Sequence, residues 1–289
     1  MKQALIKLHI SVFLAGFTGV LGKLILLNEG LLVWYRIMLT VVSLFIILSW
    51  KKRITQLAPS VIWKLMGIGS LIALHWVFFY ASIRLANVSI GLICFASVGL
   101  FTAILEPIMS HRKINFIEVG LGLVSLVGIL LIFHFDTRYR LGIIFGLVSS
   151  ILAALFSVIN KNNVEVAPPQ TLMLYELSGG LLLLTLLMPL YLQFSPTTLI
   201  FPTLSDWGWL LVLSWLCTVL AMNLMLQSLK KVSAFTQSLT LNLEPVYGVF
   251  LAFFIFHENK ELQPSFFLGL ACIGLSVCLQ MLRVVRGNG

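Results

Sequence analysis

The sequence predicts an all-α, polytopic membrane protein of ten transmembrane helices arranged as two inverted five-helix repeats. Three observations predict it. The chain of 289 residues is 60% hydrophobic and 10% charged, with a mean hydropathy of +1.05, whereas a soluble domain is about 25% charged. Its apolar stretches are continuous rather than alternating. They reach roughly 20 residues, enough at 1.5 Å per residue to cross a ~30 Å hydrocarbon core. Five such runs fall in each half of the chain, and an odd number per half turns the second half upside down in the bilayer.

The runs lie at about 5–27, 31–50, 61–83, 88–109, 115–134, 141–159, 171–193, 206–228, 234–256 and 264–283. Short connections leave no room for a soluble domain, so residues 1–140 and 141–289 form the two repeats of one transmembrane domain. The first run has the basic start and apolar continuation of a signal peptide. It carries on to Leu27 without a convincing cleavage site and reads as an uncleaved span.

Basic residues orient the bundle. With the amino terminus inside, Lys2, Lys7, Lys51, Lys52, Arg53, Arg112, Lys113, Lys161, Lys230, Lys231, Arg283 and Arg286 share the cytoplasmic side. Lys260, Arg138 and Arg140 fall opposite, with Arg84 near a span end. The 194–205 loop has no basic residue and fits outside, with Trp207 and Trp209 as interface anchors. This arrangement predicts a multi-pass protein of a bacterial-type inner membrane with both termini cytoplasmic. It also accounts for the net charge of +9 without nucleic acid. Cys94, Cys217, Cys272 and Cys278 all lie inside apolar runs, which predicts free thiols.

Internal matches support the repeat. Phe17-Thr18 with Lys23 parallels Phe156-Ser157 with Lys161, and Trp34-Tyr35-Arg36 parallels Leu174-Tyr175-Glu176. His111 and His257 are each followed by two glycines, Gly122/Gly128 and Gly269/Gly274. Leu-Glu-Pro occurs at 105–107 and 243–245, but counting back from the histidines pairs Pro245 with Gly99. Both residues loosen a helix, and both are predicted flex points. On this register Glu106 reaches water at the cytoplasmic end of its span.

The stretch from Ala234 to Phe256 is the most informative. Gln237, Thr240, Glu244 and Tyr247 recur at three- and four-residue spacings and form one stripe of a helix. A carboxylate facing lipid costs several kcal/mol, so the stripe faces either an aqueous cavity or another helix. Glu244 is the leading candidate for a proton site or a cation partner; the plainer reading is a carboxyl that only bonds a neighbouring helix.

Elsewhere, span three carries His75, Trp76, Phe79 and Tyr80, either an aromatic wall for an amphipathic molecule or ordinary packing. Arg36 and Lys23 either neutralise a carboxylate or serve structure, Arg36 as an ion pair or carbonyl clamp and Lys23 by snorkelling. Lys161 ends span six and suits snorkelling; Glu176 either pairs with it or anchors its own helix. In span eight Asn223 either lines a cavity or joins helices, while Ser214, Thr218 and Ala221 form a small-residue packing face. The glycines of spans five and ten, Gly120, Gly122, Gly128, Gly269 and Gly274, are read as packing positions.

Taken together, the ten spans, basic start, short loops, Arg36, Ser89 and Ser233 opening spans four and nine, Pro245, and His257-Glu258 closing span nine resemble the EamA type of the drug/metabolite transporter superfamily. The resemblance covers nearly the whole chain, although Arg112 rather than a glutamate follows His111. It implies a central cavity among spans one, three, four, six, eight and nine, with Phe156 and Gly99 among its residues. It further implies ATP-independent movement of small metabolites such as amino acids or related amphipathic compounds, usually outward.

The expected partners are such a metabolite and the lipid bilayer, with a monomer or weak homo-oligomer. No cofactor, metal or catalytic residue is expected. The chain has no GxxxxGK[ST] loop for a nucleotide and no HExxH or GxSxG for a membrane-embedded enzyme. A passive channel is the other rival, and it calls for rings of charge that the sequence lacks.

Overall fold

A computed structural model of the protein describes residues 1–86, 88–132, 140–244, 246–247 and 264–286, without the side chains of 20, 23, 88–90, 93, 129, 132, 264, 266 and 267. The expectations for Pro245, His257, Glu258, Arg138, Lys260 and the side chains of Lys23 and Ser89 lie outside these residues.

Helices occupy the predicted ranges: α1 (Lys2–Leu24), α2 (Glu29–Trp50), α3 (Pro59–Leu85), α4 (Val88–Phe95), α5 (Ser97–Met109), α6 (Phe116–Ile132), α7 (Arg140–Lys161), α8 (Pro169–Phe194), α9 (Leu204–Ser214), a π-helical segment (Trp215–Leu220), α10 (Ala221–Leu229), α11 (Ala234–Leu241) and α12 (Pro264–Val285). Six stretches among the described residues are long and apolar enough to cross a membrane: α2, α3, α7, α8, the run from α9 to α10, and Leu268–Val285. Ile46 and Leu186, 59% and 69% exposed, place apolar side chains on the outside of the bundle, as lipid contact requires.

Local chemistry sets the helix starts. Asn28 caps α2 by accepting from the Leu31 N–H, and Pro59 and Pro169 open α3 and α8 where a missing N–H costs nothing. Thr203 and Asp206 form a capping box on α9. Ser233 caps α11 through the Thr236 N–H, in keeping with its predicted place at the head of span nine.

Three of the predicted spans are interrupted. Span four breaks at Ala96 between α4 and α5, and span eight widens into the π turn. Span nine leaves helical form at Asn242-Leu243, just ahead of Glu244.

Helix α3 is the hub, packed on α7 and α8, while α6 packs on α12 and α1 on α10. The α3–α8 contact is backbone to backbone. A Cβ at Gly69 would lie 1.7 Å from the Glu176 carbonyl oxygen, and one at Gly179 would lie 2.2 Å from that of Met66. A Cβ at Gly128 would lie 2.7 Å from Gly269 O, between α6 and α12, as the packing reading expects, but one at Gly120 or Gly274 would meet open space.

Leu8 and Val12 near the start of the chain pack with Val232 and Val284, so the two termini share one end of the bundle. That end is tied together by the Glu106 carboxylate, which accepts the Ala234 and Phe235 N–H groups at 3.1 and 2.7 Å, and by Lys161 Nζ donating to Leu229 O at 2.7 Å. Glu106 is thus a second cap on α11, from another helix. The opposite end carries the α1–α2 connection, where Asp206 accepts the Leu26 N–H at 2.9 Å.

Candidate functional site

The predicted central cavity exists, with a volume of about 100 Å³. Glu244 lines it and is 7% exposed, held by the Thr18 hydroxyl donating at 3.1 Å. Thr18 also donates to Ala15 O one turn back along α1. The acid therefore faces a void rather than acyl chains.

Arg36 enters from α2 and is 2% exposed. Its Nε–H donates to Thr218 Oγ1 at 2.8 Å and its Nη2 to Cys217 O at 3.3 Å, both on the π turn. There the Thr218 hydroxyl also donates to Leu213 O at 2.9 Å. A π turn is the kind of departure that recurs at functional positions. The guanidinium lies 4.0 Å over the Trp76 ring, a cation–π contact strengthened by desolvation. Ser214 closes the arrangement by donating to Arg36 O at 3.1 Å. Among the described residues the ion pairs are Arg84–Glu29 and the exposed Lys230–Glu165, so Arg36 is a clamped cation with only neutral acceptors.

The aromatic residues of α3 all reach the cavity: His75, Trp76, Phe79 and Tyr80. His75 Nδ1–H donates to Ser149 O at 2.9 Å, which leaves Nε2 as the acceptor of the neutral ring. The imidazole stacks near Phe79 and tilts against Phe95, with centroids 6.1 and 5.3 Å apart. From α7 come Phe156 and Ser157, and from α11 comes Gln237, whose Nε2 donates to Ser157 Oγ at 3.3 Å.

Other expected residues lie elsewhere. Thr240 donates to Thr236 O and stays within its own helix, and Tyr247 stacks edge-on with Phe13 at 5.5 Å. The break at Asn242 takes Tyr247 off the stripe, whereas Thr240 lies before it on the same helix as Gln237. Asn223 is outside the lining, where Met222 and Met225 stand instead, because the π turn upstream rotates α10. Gly99 is outside the lining too: a Cβ there would meet Leu239 and Asn242 at 3.4–3.5 Å, beside the break in span nine.

Glu176 and Lys161 are not brought together, since Lys161 is engaged by Leu229 O. Glu176 is fully buried and faces the likewise buried Asn160, its one polar neighbour at hydrogen-bonding range among the described residues. The Ser214, Thr218 and Ala221 face does pack closely: Ser11 of α1 donates to Ala221 O at 2.8 Å.

Thr18, Phe95, Ser157, Cys217 and Thr218 were not picked out from sequence as cavity residues. Only the Thr18/Ser157 match between the halves carried a usable trace of them.

A comparison with curated proteins returned no match. Among solved structures 28 chains match; one, described as "Crystal structure of protein", superposes with a TM-score of 0.78 at 15% identity over 100% of both chains, a likeness of fold. The model of the EamA-like transporter family matches residues 3–134 and 140–281. With nearly all of the chain covered in two successive repeats, the protein belongs to the EamA-like transporter family and is a membrane transporter of the drug/metabolite superfamily.

Proposed function

We propose that the protein is a secondary transporter that exports small amphipathic metabolites, such as amino acids or related compounds, by alternating access across the inner membrane, with both termini cytoplasmic. The observation that carries this reading is the presence of a cation clamped by neutral acceptors, Arg36, and a buried acid, Glu244, within electrostatic reach of each other in one cavity beside an aromatic wall. A carboxylate in the cargo would satisfy the donors that Arg36 has to spare. An ammonium would meet Glu244, and an apolar body would lie on Trp76, Phe79 and Phe156. When the cation site is empty, Glu244 can carry a proton instead, which would couple transport to pH.

Counterflow in proteoliposomes tests the proposal, using as cargo whichever member of a metabolite panel raises the melting temperature of the purified protein. A carrier accelerates label exchange when unlabelled cargo fills the other side. A channel does not, and a flat result would end the carrier reading. Glu244→Gln should keep the fold but remove the pH dependence of exchange; pH dependence that survives the substitution would dismiss the proton role.

A further inference from the structure

As it stands in this structure, the central cavity is smaller than the cargo it is proposed to bind and must open to admit it. About 100 Å³ accommodates a few waters, whereas sites for small organic ligands run from roughly 300 Å³ upward. The structure has a second space of about 330 Å³ toward the α1–α2 end, between α1, α2 and α3. Ile25, Leu32 and Ile83 supply apolar surface, and the 2.7 Å ion pair of Glu29 with Arg84 contributes charge. One residue, Tyr80, lines both spaces.

Tyr80 is held edge-on against α1. Its hydroxyl donates to Thr18 O at 3.4 Å, and a Cβ at Gly22 would lie 2.4 Å from its ring. A glycine is therefore what allows the ring to lie across this position. Arg84 follows Tyr80 by one helical turn, so the ion pair with Glu29 sits on the same face as the ring. The far end of the central cavity is tied by Glu106 on α11 and by Lys161 on Leu229 O.

We propose that the space between α1, α2 and α3 is a second cargo site in series with the central one, that Tyr80 is the door between them, and that the site takes an amphipathic molecule with a charged end. The apolar body lies on Ile25, Leu32 and Ile83, and the charged end exchanges into the Glu29–Arg84 pair. This deepens the transporter reading by giving the cargo a place to stand on its way through, and it rests on that reading for the cargo's identity.

The door can be tested without any cargo, because Cys217 lines the central cavity and provides a native probe. In a Cys94→Ser, Cys272→Ser, Cys278→Ser background, a membrane-impermeant maleimide is applied to one face of oriented vesicles at a time. The expected result is slow labelling of Cys217 from the α1–α2 face and slower still from the face bearing the termini. Tyr80→Ala should raise the rate from the α1–α2 face at least tenfold. Gly19→Trp fills the second space from a position with nothing within 4 Å of its Cβ, so it should block labelling from that face while the protein still folds.

An unchanged rate in Tyr80→Ala, unblocked labelling in Gly19→Trp, or faster labelling from the terminal face in the otherwise native background would each overturn the proposal. Because labelling needs no transport, a failed door and a failed transporter reading give different results: the first shows in these rates, the second only in counterflow.

Discussion

Gly69→Ala offers the sharpest test of how the bundle is built, because two physical effects predict opposite signs. In the interior of a helix, replacing glycine by alanine stabilises by about 0.5–1 kcal/mol through backbone entropy. At Gly69 the new Cβ would lie 1.7 Å from the Glu176 carbonyl oxygen, about half the 3.4 Å at which ordinary contact begins. The obstacle is backbone, so no rotamer relieves it, and α3 and α8 must separate by an ångström or more.

Overpacking of this kind costs about 1–3 kcal/mol or more, which outweighs the entropy term. Gly67, two residues earlier on the same helix, has nothing within 4 Å of its Cβ and provides the control. Thermal unfolding in detergent should show Gly69→Ala falling by several degrees while Gly67→Ala holds or rises. Helix α3 also carries His75, Trp76, Phe79 and Tyr80, so the same displacement should weaken binding of the cargo. A Gly69→Ala protein as stable as Gly67→Ala would refute the close α3–α8 contact and, with it, the placement of the aromatic wall.

Four further substitutions, at three positions, probe the buried polar groups. Arg36→Gln removes charge-assisted bonds worth about 1.5–3 kcal/mol each, so KM for a carboxylate-bearing cargo should rise tenfold or more while a cargo without a carboxylate is little affected. Equal losses for both would show that Arg36 only braces the π turn. Glu176→Gln keeps the shape and keeps a side-chain oxygen that can accept from Asn160. Its melting temperature should stay near that of the native protein, whereas Glu176→Lys, which buries a charge with nothing to meet it, should lose folded yield; a strongly destabilised Glu176→Gln would mean that the acid makes a bond of its own. Asp206→Ala removes the acceptor of the Leu26 and Thr203 N–H groups and half of a capping box. It should cost about 1–2 kcal/mol and speed hydrogen exchange at Leu26, and unchanged exchange there would refute the link between the α1–α2 connection and α9.

Much of the cavity was legible wherever a helix keeps its regular turn. His75, Trp76, Phe79 and Tyr80 could be placed on α3 by counting, and Arg36 and Glu244 stood out because charge is costly in an apolar run. Phe156 followed from the family resemblance. The failures follow breaks in the helix. An extra residue in a π turn rotates everything beyond it by about 100°, which exchanges Asn223 for Met222 and Met225 at the cavity. The break at Asn242 took Tyr247 off the expected stripe of Gln237, Thr240, Glu244 and Tyr247, and Gln237 and Glu244 stand at the lining. Apolar periodicity could not report either event, because Trp215–Leu220 and Leu239–Leu243 are as apolar as the turns around them.

The three interruptions among the described residues share a location. Phe95 ends α4 just before the break at Ala96, Cys217 and Thr218 lie on the π turn, and Leu241 and Glu244 flank the break in span nine. In an unbroken helix the backbone carbonyls bond four residues along and have little to offer a cavity. An irregular turn re-aims some of them, and Cys217 O on the π turn accepts from Arg36; protein burial is what makes such backbone tolerable at membrane depth. The unbroken helices α2, α3, α7 and α8 surround these weak points and pack by close contact. Motion that opens the cavity is therefore expected to be absorbed by spans four, eight and nine, whose local stability is already spent on irregular turns, while α3 and α8 move as one body locked through Gly69 and Gly179.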